Sequence, residues 1–180
     1  MTALIEFREA EKTEKDARRV MMWRNDPLTL AMSFHQEPKV WETFWPEYCN
    51  MYFSNPRLPP LFALHNSNEI AFLKFSQYIA GIGVPENAVD IGIIIAPEWR
   101  NKGLGSIVLR EAAHRMLGQG FSAVVAEIKR ENAPSTAAFR NAGYVLLDSS
   151  YKSIPEIKEN IPIYRYVATR QTHPEDSYGA

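Results

Sequence analysis

Residues 89–116 read VDIGIIIAPEWRNKGLGSIVLREAAHRM and give the strongest structural signal in the sequence. The first part, Val89–Ala96, contains four isoleucines, and such an apolar run is typical of a strand buried on both faces. Pro97 ends this strand, and a glycine-bearing loop, Arg100–Gly105, follows directly. The next apolar residues recur at helical spacing as far as Gly118, and they are Leu104, Val108, Ala112 and Met116. The stretch therefore predicts a strand–loop–helix unit.

The segments on either side predict a mixed α/β fold. Apolar alternation predicts strands at Leu4–Arg8, Leu61–Leu64, Ile70–Ile79, Phe121–Ile128, Tyr144–Leu147 and Ile163–Thr169. Helical spacing and breaker residues predict helices at Thr13–Asn25, Pro38–Phe53 and Asn132–Asn141. Antiparallel strands come first and the strand–loop–helix unit comes after them, which argues against a fully doubly wound sheet.

Length, charge and cysteine content exclude several classes of protein. The 180 residues fit one domain. The formal net charge of −1 lacks the strongly basic footprint of nucleic-acid-binding proteins, so no nucleic-acid partner is expected. One cysteine, Cys49, allows no disulfide framework, and four scattered histidines give no metal-ligand spacing. No apolar run approaches the ~20 residues that span a bilayer, and the N-terminus has no signal-peptide core, so we expect a cytoplasmic protein without a membrane partner.

The loop Arg100–Gly105 has the features of a phosphate-binding turn. The backbone N–H groups at a helix start are unsatisfied, and the helix dipole adds partial positive charge to them. Glycines allow a ligand to approach this backbone closely, and Arg100 and Lys102 add positive charge. The order of Lys102 and Gly103 does not match the Walker pattern. Val108 stands where a dinucleotide fingerprint needs its third glycine.

Two motifs resemble those of the GNAT acyl-CoA N-acyltransferases. The sequence from Arg100 to Gly105 resembles the family pattern Gln/Arg-x-x-Gly-x-Gly/Ala after a β-strand, and the segment Asn132–Tyr144 is similar to a second family motif at matching spacing. The resemblance implies a mixed central sheet of about six or seven strands with about four helices. It also implies a splay between the fourth and fifth strands. We expect residues 1–170 to form one domain and residues 171–180 to form a flexible tail.

The same resemblance implies acetyl-CoA as cosubstrate and assigns residues to it. The pyrophosphate would bind the backbone amides of the loop, with Ser106 nearby, and the pantetheine arm would pair with the strand. The cofactor-binding residues implied are Ile93, Ile94, Ile95, Arg100, Asn101, Lys102, Gly103, Leu104, Gly105, Ser106, Asn132 and Phe139. Phe139 stands where the family usually has a tyrosine that protonates the leaving thiolate, and phenylalanine has no proton to give. Ser135, a water molecule or no group at all would fill that role.

The reaction implied is direct attack of a neutral amine on the thioester, which requires a base. The candidates are Asp90 on the buried strand, Glu127 at the end of the next strand, and His35 in a loop. Each residue also has a purely structural explanation. Asp90 would be a solvated residue at a strand start, Glu127 would pair with Lys129 or Arg130, and His35 would be an ordinary surface histidine.

The N-terminal third is expected to bind the acceptor, a small-molecule amine. The segment Trp23-Arg24-Asn25 resembles GNAT enzymes that acetylate nucleotide-linked aminosugars, and it also occurs in the ribosomal-protein acetyltransferase-like branch. Arg24 and Asn25 could bind a phosphate or hydroxyl groups, or they could simply end a helix. The expected acceptor-binding residues are Trp23, Arg24, Asn25, Phe34 and His35. The aromatic residues Trp41, Phe44, Trp45, Tyr48 and Tyr52 could line a pocket or form the core face of the second helix.

Three main functions remain open on the sequence, beside other amine acceptors such as amino acids, polyamines or drugs. The first is an N-acetyltransferase that acts on a nucleotide-linked aminosugar. The second is an acetyltransferase of peptide or protein N-termini, for which Glu37, Glu42 and Glu47 give acidic residues beside a groove. The third is an acyl-CoA-binding module without turnover, which only Phe139 favours. The resemblance also implies a possible homodimer that pairs through Ile161–Val167.

Overall fold

The computed structural model describes residues 4–79, 83–155 and 158–174, which contain seven strands and five α-helices. The strands are β1 (Glu6–Glu9), β2 (Leu61–His65), β3 (Asn68–Gln77), β4 (Ala88–Ile95), β5 (Ala123–Lys129), β6 (Val145–Ile154) and β7 (Glu159–Thr169). The helices are α1 (Glu14–Arg24), α2 (Pro27–Met32), α3 (Trp41–Met51), α4 (Leu104–Gly118) and α5 (Ala133–Asn141). The strands are hydrogen-bonded in the order β1-β2-β3-β4-β5-β7-β6.

The predicted mixed α/β sheet is confirmed. Strands β4 and β5 run parallel, whereas the pairs β1–β2, β2–β3, β5–β7 and β6–β7 are antiparallel. The parallel register covers three residue pairs and ends with Asp90 opposite Val125. Both strands continue beyond this pair, β4 to Ile95 and β5 to Lys129. The short register agrees with the predicted splay between the fourth and fifth strands.

Helix α2 is an element that the sequence analysis missed. The dipeptide Asp26-Pro27 was expected only to end the first helix, but it also begins the next one. Pro27 occupies the first turn, where a missing N–H has no consequence, and the Asp26 carboxylate accepts a hydrogen bond from the Thr29 N–H. The described residues therefore contain five helices where about four were expected.

The chain divides into two compact units, and the first comprises the described parts of Met1–Ser76 and Gly92–Leu104. Its core is an aromatic cluster formed by α1, by α3 and the residue after it, and by β2 and β3: Trp23, Phe44, Tyr48, Tyr52, Phe62 and Phe72. Trp41 and Trp45 pack against this cluster. The core interpretation of the aromatic residues on the second predicted helix therefore applies.

The second unit comprises the described parts of Gln77–Ile91 and Gly105–Ala180. Within it, β7 has β5 on one side and β6 on the other. The segment Ile161–Val167 expected to pair with a second copy lies in β7, and both of its hydrogen-bonding edges are occupied. The return of the last strand to the interior of the sheet leaves no strand edge here for a second copy to extend, and the homodimer itself stays a prediction.

The expected tail, residues 171–180, is described as far as residue 174. His173 is buried, and its Nε2 lies 2.8 Å from the carbonyl oxygen of Ala142. Burial lowers the pKa of His173, against the opposing effect of this hydrogen bond. The remaining residues of the expected tail, 175–180, lie outside the described residues.

Candidate active site

The loop between β4 and α4 has the backbone of an anion-binding turn. After a single 3₁₀ turn at Pro97–Trp99, the chain extends at Arg100 and then adopts left-handed backbone at Asn101 (φ 59°) and Gly103 (φ 73°). A Cβ atom on Gly103 would meet no atom within 4 Å, so there is open space beside this glycine. The 15-residue helix α4 follows immediately and adds the N–H groups and partial positive charge of its first turn.

The side chain of Arg100 holds this loop to helix α2. Its Nη1 lies 2.7 Å from Asp26 Oδ2, its Nη2 donates to Thr29 Oγ1 at 2.8 Å, and its Nε donates to the Ile95 carbonyl at 3.3 Å. Burial acts to raise the pKa of Asp26, but hydrogen bonds from the Thr29 N–H and from Arg100 outweigh burial and lower it. Arg100 was expected to add charge for a phosphate, and the structure shows its charge already paired.

Lys102 and the isoleucines of β4 lie on either side of the 3₁₀ turn in the sequence. The Lys102 ammonium lies over the Trp99 ring, 4.6 Å from its centre, and the lysine is exposed. Ile94 packs against the aromatic core of the first unit, while Ile93 and Ile95 are half-buried.

Two of the three candidate bases share one face of the sheet in the second unit. Asp90 lies opposite Val125, and residues opposite each other in a ladder point to the same face. Glu127 follows Val125 by two residues and therefore lies on that face as well. Both carboxylates are half-buried. His35, the third candidate, is exposed in the connection between α2 and α3, next to the half-buried Phe34.

Glu127 is held by residues that the sequence analysis did not predict. Lys152 on β6 forms an ion pair with Glu127 Oε2, and the Tyr78 hydroxyl lies 3.5 Å from Oε1. Of the two expected partners, Lys129 lies 3.8 Å from Glu131, and Arg130 donates to the carbonyl oxygens of Ile163 and Ser150. No local motif could indicate Lys152, because it reaches Glu127 from a strand two positions away in the sheet.

The same cluster continues to Arg165 and Asp148. Arg165 donates to Asp148 through Nε at 2.8 Å and also forms an ion pair through Nη2, while its Nη1 donates to the Tyr78 hydroxyl at 3.1 Å. The hydrogen bond from Arg165 lowers the pKa of Asp148. The cluster thus contains two cations and two carboxylates, and each of these charges has a partner of opposite sign.

The second predicted motif, Asn132–Tyr144, forms the start and body of α5. Asn132 caps this helix, because its side-chain oxygen accepts a hydrogen bond from the Ser135 N–H at 3.2 Å. Phe139 is buried, with its ring edge-on to Tyr144 at 4.9 Å. Ser135 and Asn132 are half-buried, as is Ser106 in the first turn of α4.

The predicted acceptor segment contains two buried polar atoms without a hydrogen-bond partner. Trp23 is 1 % exposed and its Nε1 has no partner; the Nε of the neighbouring Arg24 is also buried and unsatisfied. Asn25 differs, because its amide donates to the Lys39 carbonyl and accepts from the Lys39 N–H, both at 2.7 Å. Asn25 therefore fastens the chain before α3 to the end of α1.

The described residues contain neither a metal-binding cluster nor a membrane-spanning helix. Within residues 4–79, 83–155 and 158–174, no group of three or more His, Cys, Asp or Glu side chains is placed to hold a metal ion. In the same part of the chain, no helix is long and apolar enough to cross a membrane.

Comparisons with known proteins identify a family for this chain and solved structures with the same fold. The sequence model of the acetyltransferase (GNAT) family matches residues 4–144. No curated protein matches the sequence at a significant level.

Solved structures match the fold over nearly the whole chain. One is AAC(6′)-Ib in complex with paromomycin and acetyl-CoA, with a TM-score of 0.79 and 15 % identity, covering 98 % of this chain and 99 % of that one. A second is the aminoglycoside acetyltransferase AAC(6′)-Ib with coenzyme A and kanamycin, with a TM-score of 0.76, 15 % identity and coverage of 94 % and 96 %. A third is an N-acetyltransferase from Staphylococcus aureus Mu50, with a TM-score of 0.69, 15 % identity and coverage of 93 % and 99 %.

Proposed function

This chain belongs to the acetyltransferase (GNAT) family, and we propose that it transfers the acetyl group of acetyl-CoA to the primary amine of a nucleotide-linked aminosugar. Acetyl-CoA supplies an activated acetyl thioester. The observation that carries the proposal is the loop before α4, where left-handed residues at Asn101 and Gly103 lead into a long helix. This is the position at which the sequence motif places the pyrophosphate.

The residues of the loop fit a pyrophosphate through their backbone. There is open space beside the α-carbon of Gly103, and N–H groups at a helix start favour negative charge. Arg100 acts indirectly, because its guanidinium is bound to Asp26 and Thr29 and fixes the position of the loop. Ile93, Ile94 and Ile95 would supply the strand edge for the pantetheine arm. The family motif also assigns Asn132 to the cofactor, and Phe139 is buried with its ring against Tyr144.

A carboxylate of the second unit accepts the proton of the attacking amine. Asp90 is the better candidate, because it ends the parallel register and lies where β4 parts from β5. Glu127, the alternative, accepts a hydrogen bond from Tyr78 and forms an ion pair with Lys152. No tyrosine stands at position 139. The leaving thiolate therefore takes its proton from Ser135 or water, or departs as an anion.

The acceptor class is inferred from the first unit. The segment Trp23–Asn25 contains a half-buried guanidinium without an ion-pair partner among the described residues, which suits a phosphate. The solved relatives with paromomycin and kanamycin favour a small-molecule acceptor of a different, aminoglycoside class. The peptide alternative has weaker support, since Glu47 is bound to Lys39 at 2.7 Å and only Glu37 and Glu42 remain fully exposed.

A thiol-release assay with acetyl-CoA and a panel of amines tests the proposed acceptor. The panel contains UDP- and TDP-linked aminosugars, aminoglycosides and short peptides. Release with the nucleotide aminosugars, at a kcat/KM at least tenfold above the others, is the expected result. Preference for aminoglycosides or peptides would overturn the aminosugar assignment. If the protein binds acetyl-CoA but releases no thiol with any amine, the result would favour an acyl-CoA-binding module without turnover.

A glycine pair tests the cosubstrate loop. Gly103→Val places a β-branched residue at φ 73° within the loop, and we expect acetyl-CoA affinity to fall about 100-fold because the amides lose their arrangement. Gly120→Val is the matched control, since Gly120 has φ 94° and equally open surroundings after the end of α4. The control should lower stability by a similar amount with unchanged affinity. Equal affinity in both variants would refute the loop assignment.

A carboxamide pair tests the base. Asp90→Asn should lower kcat by about 100-fold and remove the acidic limb of the pH–rate profile. Glu127→Gln should reduce the rate less and leave that limb in place. The opposite result would make Glu127 the base, and an unchanged profile in both variants would assign proton removal to water or His35.

A further inference from the structure

Arg24 is a cation in an apolar environment that the fold itself does not neutralise. It is the last residue of α1, half-buried beside the aromatic core, and its Nε is buried without a hydrogen-bond partner. Among the described residues, no carboxylate lies within ion-pair distance of Arg24, whereas Arg8, Arg18 and Arg19 of the same unit each have one. Burying the Nε–H of Arg24 without an acceptor is costly, so the presence of an arginine at this position calls for an explanation.

A second cation converges on the same place. Tyr52 is 3 % exposed, and the Lys74 ammonium lies over its ring, 4.4 Å from the centre. Burial raises the pKa of Tyr52, and the neighbouring Arg24 guanidinium acts in the opposite direction through its charge and a hydrogen bond. Arg24 and Lys74, which are 50 positions apart in the sequence, therefore meet at one tyrosine.

The carboxylate in this neighbourhood does not pair with Arg24. Glu47 acts on Tyr52 by its charge, but it is bound to Lys39, with 2.7 Å between Lys39 Nζ and Glu47 Oε2. The C-terminal dipole of α1 accounts for part of the preference for a cation at Arg24. The dipole does not satisfy the buried Nε–H, which needs an acceptor atom.

We propose that Arg24, Tyr52 and Lys74 form a subsite that binds one anionic group of the acceptor amine, either a phosphate or a carboxylate. The proposal rests on the proposed function and narrows its substrate class. The guanidinium binds two oxygens of such a group side by side, the tyrosine hydroxyl donates one further hydrogen bond, and the ammonium adds a point charge. A polycationic amine is repelled at this position, which separates the chain from the aminoglycoside-bound structures that share its fold.

Matched acceptors at saturating acetyl-CoA test the subsite. The set is glucosamine, glucosamine 6-phosphate, glucosaminic acid, a UDP-linked aminosugar and kanamycin. Comparison of these acceptors distinguishes recognition of a phosphate from that of a carboxylate, and recognition of either anion from that of a cation. We expect the best anionic amine to exceed glucosamine at least tenfold in kcat/KM. Arg24→Gln should reduce this value about 100-fold, through KM, and should lower the preference for the anionic amine over glucosamine at least tenfold. Lys74→Met should reduce it about tenfold.

The control variant is Lys15→Gln, which removes the same charge from an exposed position of α1. It should match the wild type with every acceptor. Arg24→Lys keeps the charge but loses the planar fork, so it should recover only part of the affinity. Equal losses with glucosamine and with the anionic amines, in Arg24→Gln, would overturn the subsite and leave the acetyltransferase proposal intact.

A binding measurement decides the case in which no amine is acetylated. With coenzyme A saturating the loop, inorganic phosphate should raise the Tm of the wild type and of Lys15→Gln, and it should not raise that of Arg24→Gln. Such a result upholds the subsite even if the aminosugar assignment fails. Identical shifts in all three proteins would refute it.

Discussion

The charged side chains at the two ends of helix α1 differ in whether they have partners of opposite charge among the described residues. At the first turn, Asp16 is almost completely buried and accepts two hydrogen bonds from Arg8, both at 2.8 Å, and a third from the Glu11 N–H. Arg8 also donates to Glu69 at 2.8 Å. At the last turn, Arg24 is half-buried with an unsatisfied Nε and no ion pair in the described part of the chain.

The charges of Asp16 and Arg8 stabilise the folded protein, whereas the charge of Arg24 does not. A buried carboxylate with three donors joins β1 to α1, and its contribution is realised in the folded protein alone. A guanidinium with an empty donor gains its full stabilisation only when another molecule supplies the acceptor. Stability measurements on the first end and affinity measurements on the second should therefore respond to different variants.

The largest effect on stability is expected from Arg8→Met. The change leaves Asp16 buried without its main partner, and the free energy of unfolding should fall by about 3 kcal/mol. Urea unfolding at pH 7 measures this loss. Arg18→Met is the control, because Arg18 and Glu14 form an exposed pair on the same helix, and its loss should stay below about 1 kcal/mol. Comparable losses in the two variants would remove the distinction between the ends of α1.

The effect of Arg8 should also depend on pH. Burial acts to raise the pKa of Asp16, but the hydrogen bonds from Arg8 and from the Glu11 N–H outweigh burial and lower it. A depressed pKa stabilises the folded state above the unfolded value of about 3.9, and this stabilisation is lost as the pH falls through the folded pKa. The difference in unfolding free energy between wild type and Arg8→Met should therefore decrease progressively as the pH is lowered from 5 towards 2. A constant gap across that range would show that Arg8 acts by packing instead of by charge.

Asn25, next to Arg24, should behave like the first end of the helix. Asn25→Ala removes both hydrogen bonds to the Lys39 backbone and should cost about 1.5 kcal/mol of unfolding free energy. Asn25→Asp keeps the acceptor for the Lys39 N–H and loses the donor, so about half of that loss is expected. If both variants unfold like the wild type while acceptor KM rises, Asn25 binds substrate and the contrast with Arg24 is wrong.

The glycine loop and the strand before it could be predicted because their signals are local. Gly103 has the left-handed backbone that favours glycine, and the apolar run of β4 is continuous in the sequence. Helix α2 was missed because Asp26-Pro27 is both a stop signal and a start signal, and only the Thr29 N–H bond distinguishes them. Local sequence patterns therefore predict helices and strands more reliably than the boundaries between them.

Side-chain partners could not be predicted, because they depend on strand order and long-range contacts. Arg100 was expected beside a phosphate and instead binds Asp26, 74 positions earlier in the chain. Glu127 was expected to pair locally and instead binds Lys152, and Tyr52 and Lys74 gave no motif at all. The identity of Arg24 could be read from the sequence, but the absence of its partner could be read only from the fold.

The smallest expected effect is the most discriminating. Arg24→Met keeps the apolar stem of the side chain against the aromatic core and removes a donor that the folded protein leaves unsatisfied. The free energy of unfolding should change by less than about 0.5 kcal/mol, and a slight gain is consistent with the relief of a desolvated charge. Urea unfolding beside Arg8→Met measures this directly. A loss near that of Arg8→Met would mean that Arg24 supports the fold at the end of α1. A null effect on stability, joined to a large loss of affinity for an anionic amine, would show that the protein holds this guanidinium in place for a ligand.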